Sequence, residues 1–378
     1  MRLLLAIAAL TAVLLPAPAA AEAASRRVPH GFHGVMWDRA VASAPAAQQD
    51  AQWALMASSG VESVRTVISW ARIQPVAGTG PDFRATDELV ARAARHGIRL
   101  LPIVLETPVW ARRYPGREGS PPRRAADLTA FLRALVGRYG PRGTLWAERP
   151  GIPRRPLRDW QIWNEPHLDQ YWYARGRGAR SWAPGYAAML HDAYHELKEA
   201  DLGSRVVLAG LADYAWRHLA ALYREGVKGH FDVATINLFT SRPALVLKGV
   251  RYFRRALRRG KEPRKPVWLT ETTWPASKGR LPKPGARWQL FWETNDAGMA
   301  SRVGSVYSLA ARARRRLRLG RVFWYTWASA YGDSDRFDYA GLLRFDGGTF
   351  APTPALGAYA RSSRRLQGCS KTTAGTCR

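Results

Sequence analysis

Two glutamates draw attention because each closes a short apolar run: Trp160-Gln161-Ile162-Trp163-Asn164-Glu165-Pro166 and Val267-Trp268-Leu269-Thr270-Glu271-Thr272. If both runs are strands of one sheet, Glu165 and Glu271 leave it at the same kind of place, a strand end. Two converging carboxylates are what cleavage of a glycosidic bond requires. One must be protonated to assist the departing oxygen, the other ionised to attack the anomeric carbon or to activate water. Each negative charge raises the proton affinity of its neighbour, which helps keep the acid protonated near neutral pH. A lone glutamate at a strand end is as readily a salt-bridge partner or the neighbour of a helix cap. The pair, in two similar contexts, is the more specific signal.

The elements that must position the pair follow in series along the chain. The expected strands are Gly31–Trp37, Val61–Val67, Arg99–Leu105, Trp160–Trp163, Arg205–Ala209, Phe231–Leu238, Val267–Thr270 and Arg321–Thr326. Helical patterns are expected between and after them, at Ala46–Ser58, Ala85–Arg95, Ala125–Tyr139, Pro184–Ala200, Ala215–Glu225, Leu245–Arg259, Arg287–Arg316 and Pro354–Ser363. Eight strand–helix units in series predict an α/β fold, a single parallel (β/α)8 barrel. The strand runs lack clean apolar–polar alternation, as expected of strands covered on both faces. An open doubly wound sheet would want a glycine-rich phosphate turn after its first strand, and His30-Gly31-Phe32-His33-Gly34 is not one. In a barrel, reactive groups sit at the C-terminal ends of the strands, and the fourth and seventh strands face each other across the mouth.

The Trp163-Asn164-Glu165-Pro166 run resembles the Asn-Glu-Pro signature of the large superfamily of retaining β-glycosidases built on (β/α)8 barrels, a grouping that includes cellulases, mannanases, xylanases and β-xylosidases. The resemblance covers roughly residues 30–360. It implies Glu165 as acid/base and Glu271 as nucleophile. It further implies that Arg65 keeps the nucleophile ionised, since a guanidinium beside a carboxylate lowers its pKa. Asn164 resembles the asparagine that bonds the sugar 2-hydroxyl, and Trp324 the tryptophan that floors the sugar site, with Trp327 as competitor. Trp37, Trp70 and Trp110 follow the first three strands and divide between sugar platform and loop packing. One departure stands in the sixth strand, Thr235-Ile236-Asn237-Leu238-Phe239. Relatives often have His and Tyr where Asn237 and Phe239 stand, and Phe239 cannot give a hydroxyl to the nucleophile. Tyr325 and Tyr331 are the candidates to replace it. No metal and no cofactor are expected.

The 378 residues carry 58 Lys+Arg against 29 Asp+Glu, a formal charge of +29, with 16 Trp. The arginines are spread along the chain, which assigns the charge to composition rather than to a nucleic-acid arm. The basic stretch Arg312–Arg318 reads as a solvated helix end. His191 and His195, spaced i, i+4, lack the adjacent Glu of a zinc protease and fall on an outer helix, so they are read as surface residues. Glu106 and His167 are either cleft-lining residues or loop residues. Residues 1–24 read as a signal peptide: Met1-Arg2, an apolar Leu3–Leu15 run and small-residue cleavage sites. The barrel domain is expected over 25–365, and 366–378 is a tail in which Cys369 and Cys377 can close a disulfide. The composite reading is a secreted or cell-envelope glycosidase, a monomer with no membrane span in the mature chain, acting on a β-linked oligo- or polysaccharide. A carbohydrate-binding barrel without turnover and a basic protein that binds anionic polymers are the alternatives. A Schiff-base aldolase is excluded because no lysine stands at a strand end.

Overall fold

Eight short apolar segments, buried almost without interruption, form the strands of the computed structural model. They are β1 (His33–Trp37), β2 (Ser63–Ser69), β3 (Arg99–Leu105), β4 (Asp159–Ile162), β5 (Arg205–Val207), β6 (Ala234–Asn237), β7 (Val267–Thr272) and β8 (Leu319–Trp324). The structure describes residues 25–37, 39–175, 178–282, 287–332, 335–346 and 348–369. The strands run parallel in the order β5-β4-β3-β2-β1-β8-β7-β6. The two outer strands meet through isolated parallel bridges, Val207 with Val233 and Leu211 with Ile236, which bring the sheet round into a barrel. The expected (β/α)8 fold is therefore the one observed.

The principal helices form the outer ring: α1 (Ala46–Ser58), α2 (Arg84–Arg95), α3 (Ala125–Tyr139), α4 (Ala179–Ala200), α5 (Ala215–Arg224), α6 (Pro243–Arg259), α7 (Asp296–Leu317) and α8 (Pro354–Gln367). Their apolar residues recur at helical spacing. In α3 the buried set is Leu128, Phe131, Leu132, Leu135, Val136 and Tyr139, one stripe turned to the sheet. The long helix expected over Arg287–Arg316 is broken, because Asn295 accepts from the Gly298 amide and caps a fresh start at Asp296. A second difference follows β8. The chain adds a three-stranded sheet, β9 (Ala328–Ser329), β10 (Leu343–Asp346) and β11 (Thr349–Pro352), before the closing helix.

Inside the barrel the side chains stack in layers. At the N-terminal end Arg321 and Arg205 both pair with Asp159, at 2.8 and 2.5 Å, and Arg321 lies 4.1 Å over the Trp268 ring. Above them Leu101, Val207, Val233, Trp268 and Phe323 form a separate apolar cluster. Phe323 fits because β1 offers Gly34: a Cβ there would stand 2.4 Å from the Phe323 ring. The C-terminal layer is polar, and it is the candidate site.

The expected signal segment 1–24 lies outside the described residues, as does Cys377. Cys369 is disulfide-bonded. Among the described residues no helix is long and apolar enough to cross a membrane. Exposed arginines lie on the outer ring, Arg251, Arg255 and Arg258 on α6 and Arg312, Arg315 and Arg316 on α7.

Candidate active site

The chain leaves β4 through a tight, strained turn. Trp163 has φ 71° and Glu165 φ 41°, left-handed values that cost energy in residues with a Cβ. Several contacts hold them there. The Trp163 amide donates to Val104 O at 3.0 Å and the Glu165 amide to Gly210 O at 2.9 Å. Trp163 Nε1 donates to Tyr171 O at 2.7 Å, and Gln161 Nε2 to Trp163 O at 3.0 Å. The turn delivers the Glu165 side chain to the barrel mouth, where it is only 7% exposed. Burial, then the negative charge of Glu271, push its carboxyl up to about 8, against the opposing effect of a hydrogen bond from Asn237. Asp213, beyond β5, adds a smaller push in the same direction.

Glu271 stands opposite, on β7, where the strand register slips against β6 and β8 near the C-terminal end. Such irregularities re-aim side chains at barrel rims. Arg65 on β2 reaches across the barrel and donates from Nη1 to Glu271 Oε1 at 2.6 Å. Its guanidinium is fully buried and held on its other edges: Nη2 donates to Asn164 Oδ1 at 2.7 Å and Nε to Gln161 Oε1 at 2.9 Å. This fixed positive charge favours ionised Glu271. The two carboxylates thus lie in unlike environments, one ion-paired and one held neutral.

Asn237, at the end of β6, completes the frame. Its Oδ1 accepts from Thr270 Oγ1 at 2.7 Å, which fixes the amide so that Nδ2 donates to Glu165 Oε1 at 2.8 Å. Asn164 and Asn237 meet over Gly210, just past β5. A Cβ at Gly210 would stand 2.8 Å from both amide oxygens, so only glycine leaves room for the two side chains. Gly210, Gln161, Thr270 and Asp213 had carried no functional expectation. Their signal in the sequence is weak, because each acts by supporting a neighbour rather than by its own chemistry.

The structure brings Arg65, Asn164, Glu165, Asn237 and Glu271 together. The tryptophans are placed otherwise. Trp324 and Trp327, the two rings expected to compete for the sugar platform, are both fully buried. Trp324 Nε1 donates to Ala340 O at 3.0 Å, and Trp327 Nε1 to Gln52 Oε1 at 3.0 Å. With no exposed surface, neither ring presents a platform in this structure. Trp37 is likewise buried, its ring 5.1 Å from Trp53. Phe239 and Tyr325, which follow β6 and β8, are partly exposed. Both pack edge-on against Phe337, at 5.2 and 5.4 Å, and Phe239 also meets Trp292. Tyr325 follows β8, and its amide donates to Thr272 O at 3.1 Å, next to Glu271 in the chain. Tyr331 is engaged elsewhere, with Arg280 lying over its ring at 5.2 Å. His167 is half-buried, stacked on His218 at 4.2 Å.

No family model matches the chain, and no curated protein does. Solved structures do. A family 39 glycoside hydrolase from Bacteroides cellulosilyticus WH2 aligns with a TM-score of 0.66 at 17% identity, over 89% of this chain and 64% of its own. A monomeric β-xylosidase from Caulobacter crescentus CB15 gives 0.61 at 17%, over 90% and 69%. A family 1 β-glucosidase from Thermotoga maritima gives 0.60 at 11%, over 92% and 100%. The chain thus spans about two thirds of the length of the first two and all of the third. At these identities the likeness is one of fold: the chain has the (β/α)8 barrel that these solved glycosidase structures share, as the eight strand–helix units had implied.

Proposed function

We propose that the protein is a retaining glycoside hydrolase acting on a β-linked glycan, with Glu271 as nucleophile and Glu165 as acid/base. The observation that carries this reading is the division of labour between two buried carboxylates: Glu271 paired with Arg65 at 2.6 Å, Glu165 pushed up to about 8. In the first step ionised Glu271 forms a bond to the anomeric carbon while Glu165 gives its proton to the departing glycosidic oxygen. In the second, Glu165, now ionised, takes a proton from water, which displaces Glu271 and restores the starting states. The Asn164 Oδ1 is committed to Arg65, which leaves its amide nitrogen as the group to bond a sugar hydroxyl. Phe239 and Tyr325 supply the apolar surface for a sugar face. The Leu3–Leu15 run supports secretion.

The test is a panel of β-linked oligo- and polysaccharides offered to wild type, Glu165→Gln and Glu271→Gln, with release of reducing ends as readout. Wild type is expected to turn over at least one member and both variants to lose it. With an activated aryl glycoside, Glu165→Ala retains the first step and azide restores turnover with a β-azide product. In Glu271→Ala, azide attacks from the opposite face and gives the α product. Undiminished glycan binding with no hydrolysis by wild type would make the barrel a binding protein.

A further inference from the structure

The outer wall of the barrel carries a second cluster of chemistry-bearing side chains. His191 and His195 lie one turn apart on α4, and His230 comes from the loop that leads into β6. The three rings meet, with centroids 4.5 Å apart for His191 and His195, 4.4 Å for His191 and His230, and 5.5 Å for His195 and His230. One ring nitrogen from each lies within 4.8 Å of the others. The two α4 residues are exposed and His230 is half-buried.

We propose that His191, His195 and His230 form a binding site for a divalent first-row transition ion, with zinc as the best-matched probe. Three neutral imidazoles and one open position are a familiar donor set for that ion, with Zn–N bonds of about 2.0–2.1 Å. The nitrogens must draw slightly closer than they stand, and the two exposed α4 rings have the freedom to rotate. Two further observations point to a cation. His191 Nδ1 lies 3.1 Å from the Asp192 carboxylate, an arrangement that places the ring proton on Nδ1 and leaves the Nε2 lone pair free. His230 Nδ1 is buried without a hydrogen-bond partner.

The site is remote from the carboxylates. His230 precedes β6, whereas Asn237, which meets Glu165, ends it. The ion would clamp α4 to the lower end of β6, on the outside of the wall. The sequence shows only the i, i+4 pair, since the third imidazole arrives through the fold. The inference does not rest on the glycosidase reading.

The experiment uses tag-free full-length protein, stripped with chelator and titrated with zinc chloride by calorimetry, with melting temperature and the visible spectrum of the cobalt-loaded protein as second readouts. One zinc per chain is expected, with a rise in melting temperature and a cobalt d–d absorption band. His195→Ala and His230→Ala should lose all three, and Glu271→Gln should keep them. His191→Gln, on an exposed helix face, serves as the variant least able to disturb folding, and it should weaken binding at least tenfold. No zinc binding by wild type, or equal binding by wild type and all three histidine variants, overturns the proposal.

Discussion

Replacing Glu165 by glutamine should make the protein more stable in alkaline solution, and the size of the gain follows from the site. The carboxyl is buried and faces Glu271, and its folded-state value is about 8 against an ordinary 4.5. Below about pH 4.5 the group is protonated in both folded and unfolded chains and costs nothing. Between 4.5 and 8 the unfolded chain ionises and the folded chain does not, so stability falls as pH rises and levels off once the folded value is passed. Each pH unit in that window is worth about 1.4 kcal/mol, which sets a ceiling of about 5 kcal/mol. Relaxation around the site brings the expected cost to about 2–3 kcal/mol. Glutamine keeps the shape and the acceptor for Asn237 Nδ2 but cannot ionise. Glu165→Gln and wild type should therefore melt together near pH 4, while at pH 8.5 the variant should melt about 5 °C higher. The assay is thermal unfolding across that pH range and needs no substrate. A stability difference that does not change with pH would refute the claim that Glu165 is held neutral.

Asn237→Leu removes the hydrogen bond that favours ionised Glu165, so the alkaline limb of the kcat/KM profile, or the carboxyl titration followed by carbon-13 resonance, should move up by about one pH unit. Arg65→Met leaves Glu271 without its ion pair in a buried setting. It should cost about 3–5 kcal/mol in urea unfolding and abolish turnover. Gly210→Ala places a methyl group against Asn164 and Asn237. Activity should fall at least tenfold, with a stability loss of about 1–3 kcal/mol measured by the same unfolding curves.

The barrel and its two carboxylates were legible because the strands are apolar runs and each glutamate ends one. Arg65 was legible as a charge between valines in a strand. What escaped was mutual placement. Trp324, with Trp327 as its competitor, read as the platform because the sequence shows ring size and strand position, not the packing that buries both rings. Phe239 appeared only as a missing hydroxyl, yet in the structure it is part of the aromatic wall. Gly210 is silent in sequence, since its role is the space it leaves between two asparagines from other strands. His230 meets the α4 histidines only through packing, which no local pattern encodes.

The barrel is a rolled sheet with one slit. Seven of its eight junctions are hydrogen-bonded ladders, and the eighth, between β5 and β6, is stitched by isolated bridges. The two carboxylates stand differently with respect to that slit. Arg65 and Glu271 are joined through β2, β1, β8 and β7, an unbroken wall. The bond from Asn237 to Glu165 runs from β6 to β4 and spans the slit, with Gly210 at its lip. Breathing of the wall would therefore loosen the tether on Glu165 while leaving Arg65 in register with Glu271. The proton affinity of Glu165 becomes a gauge of how tightly the barrel is shut, and substitutions along the outer faces of β5 and β6 become a mechanical handle on the pH range over which Glu165 keeps its proton.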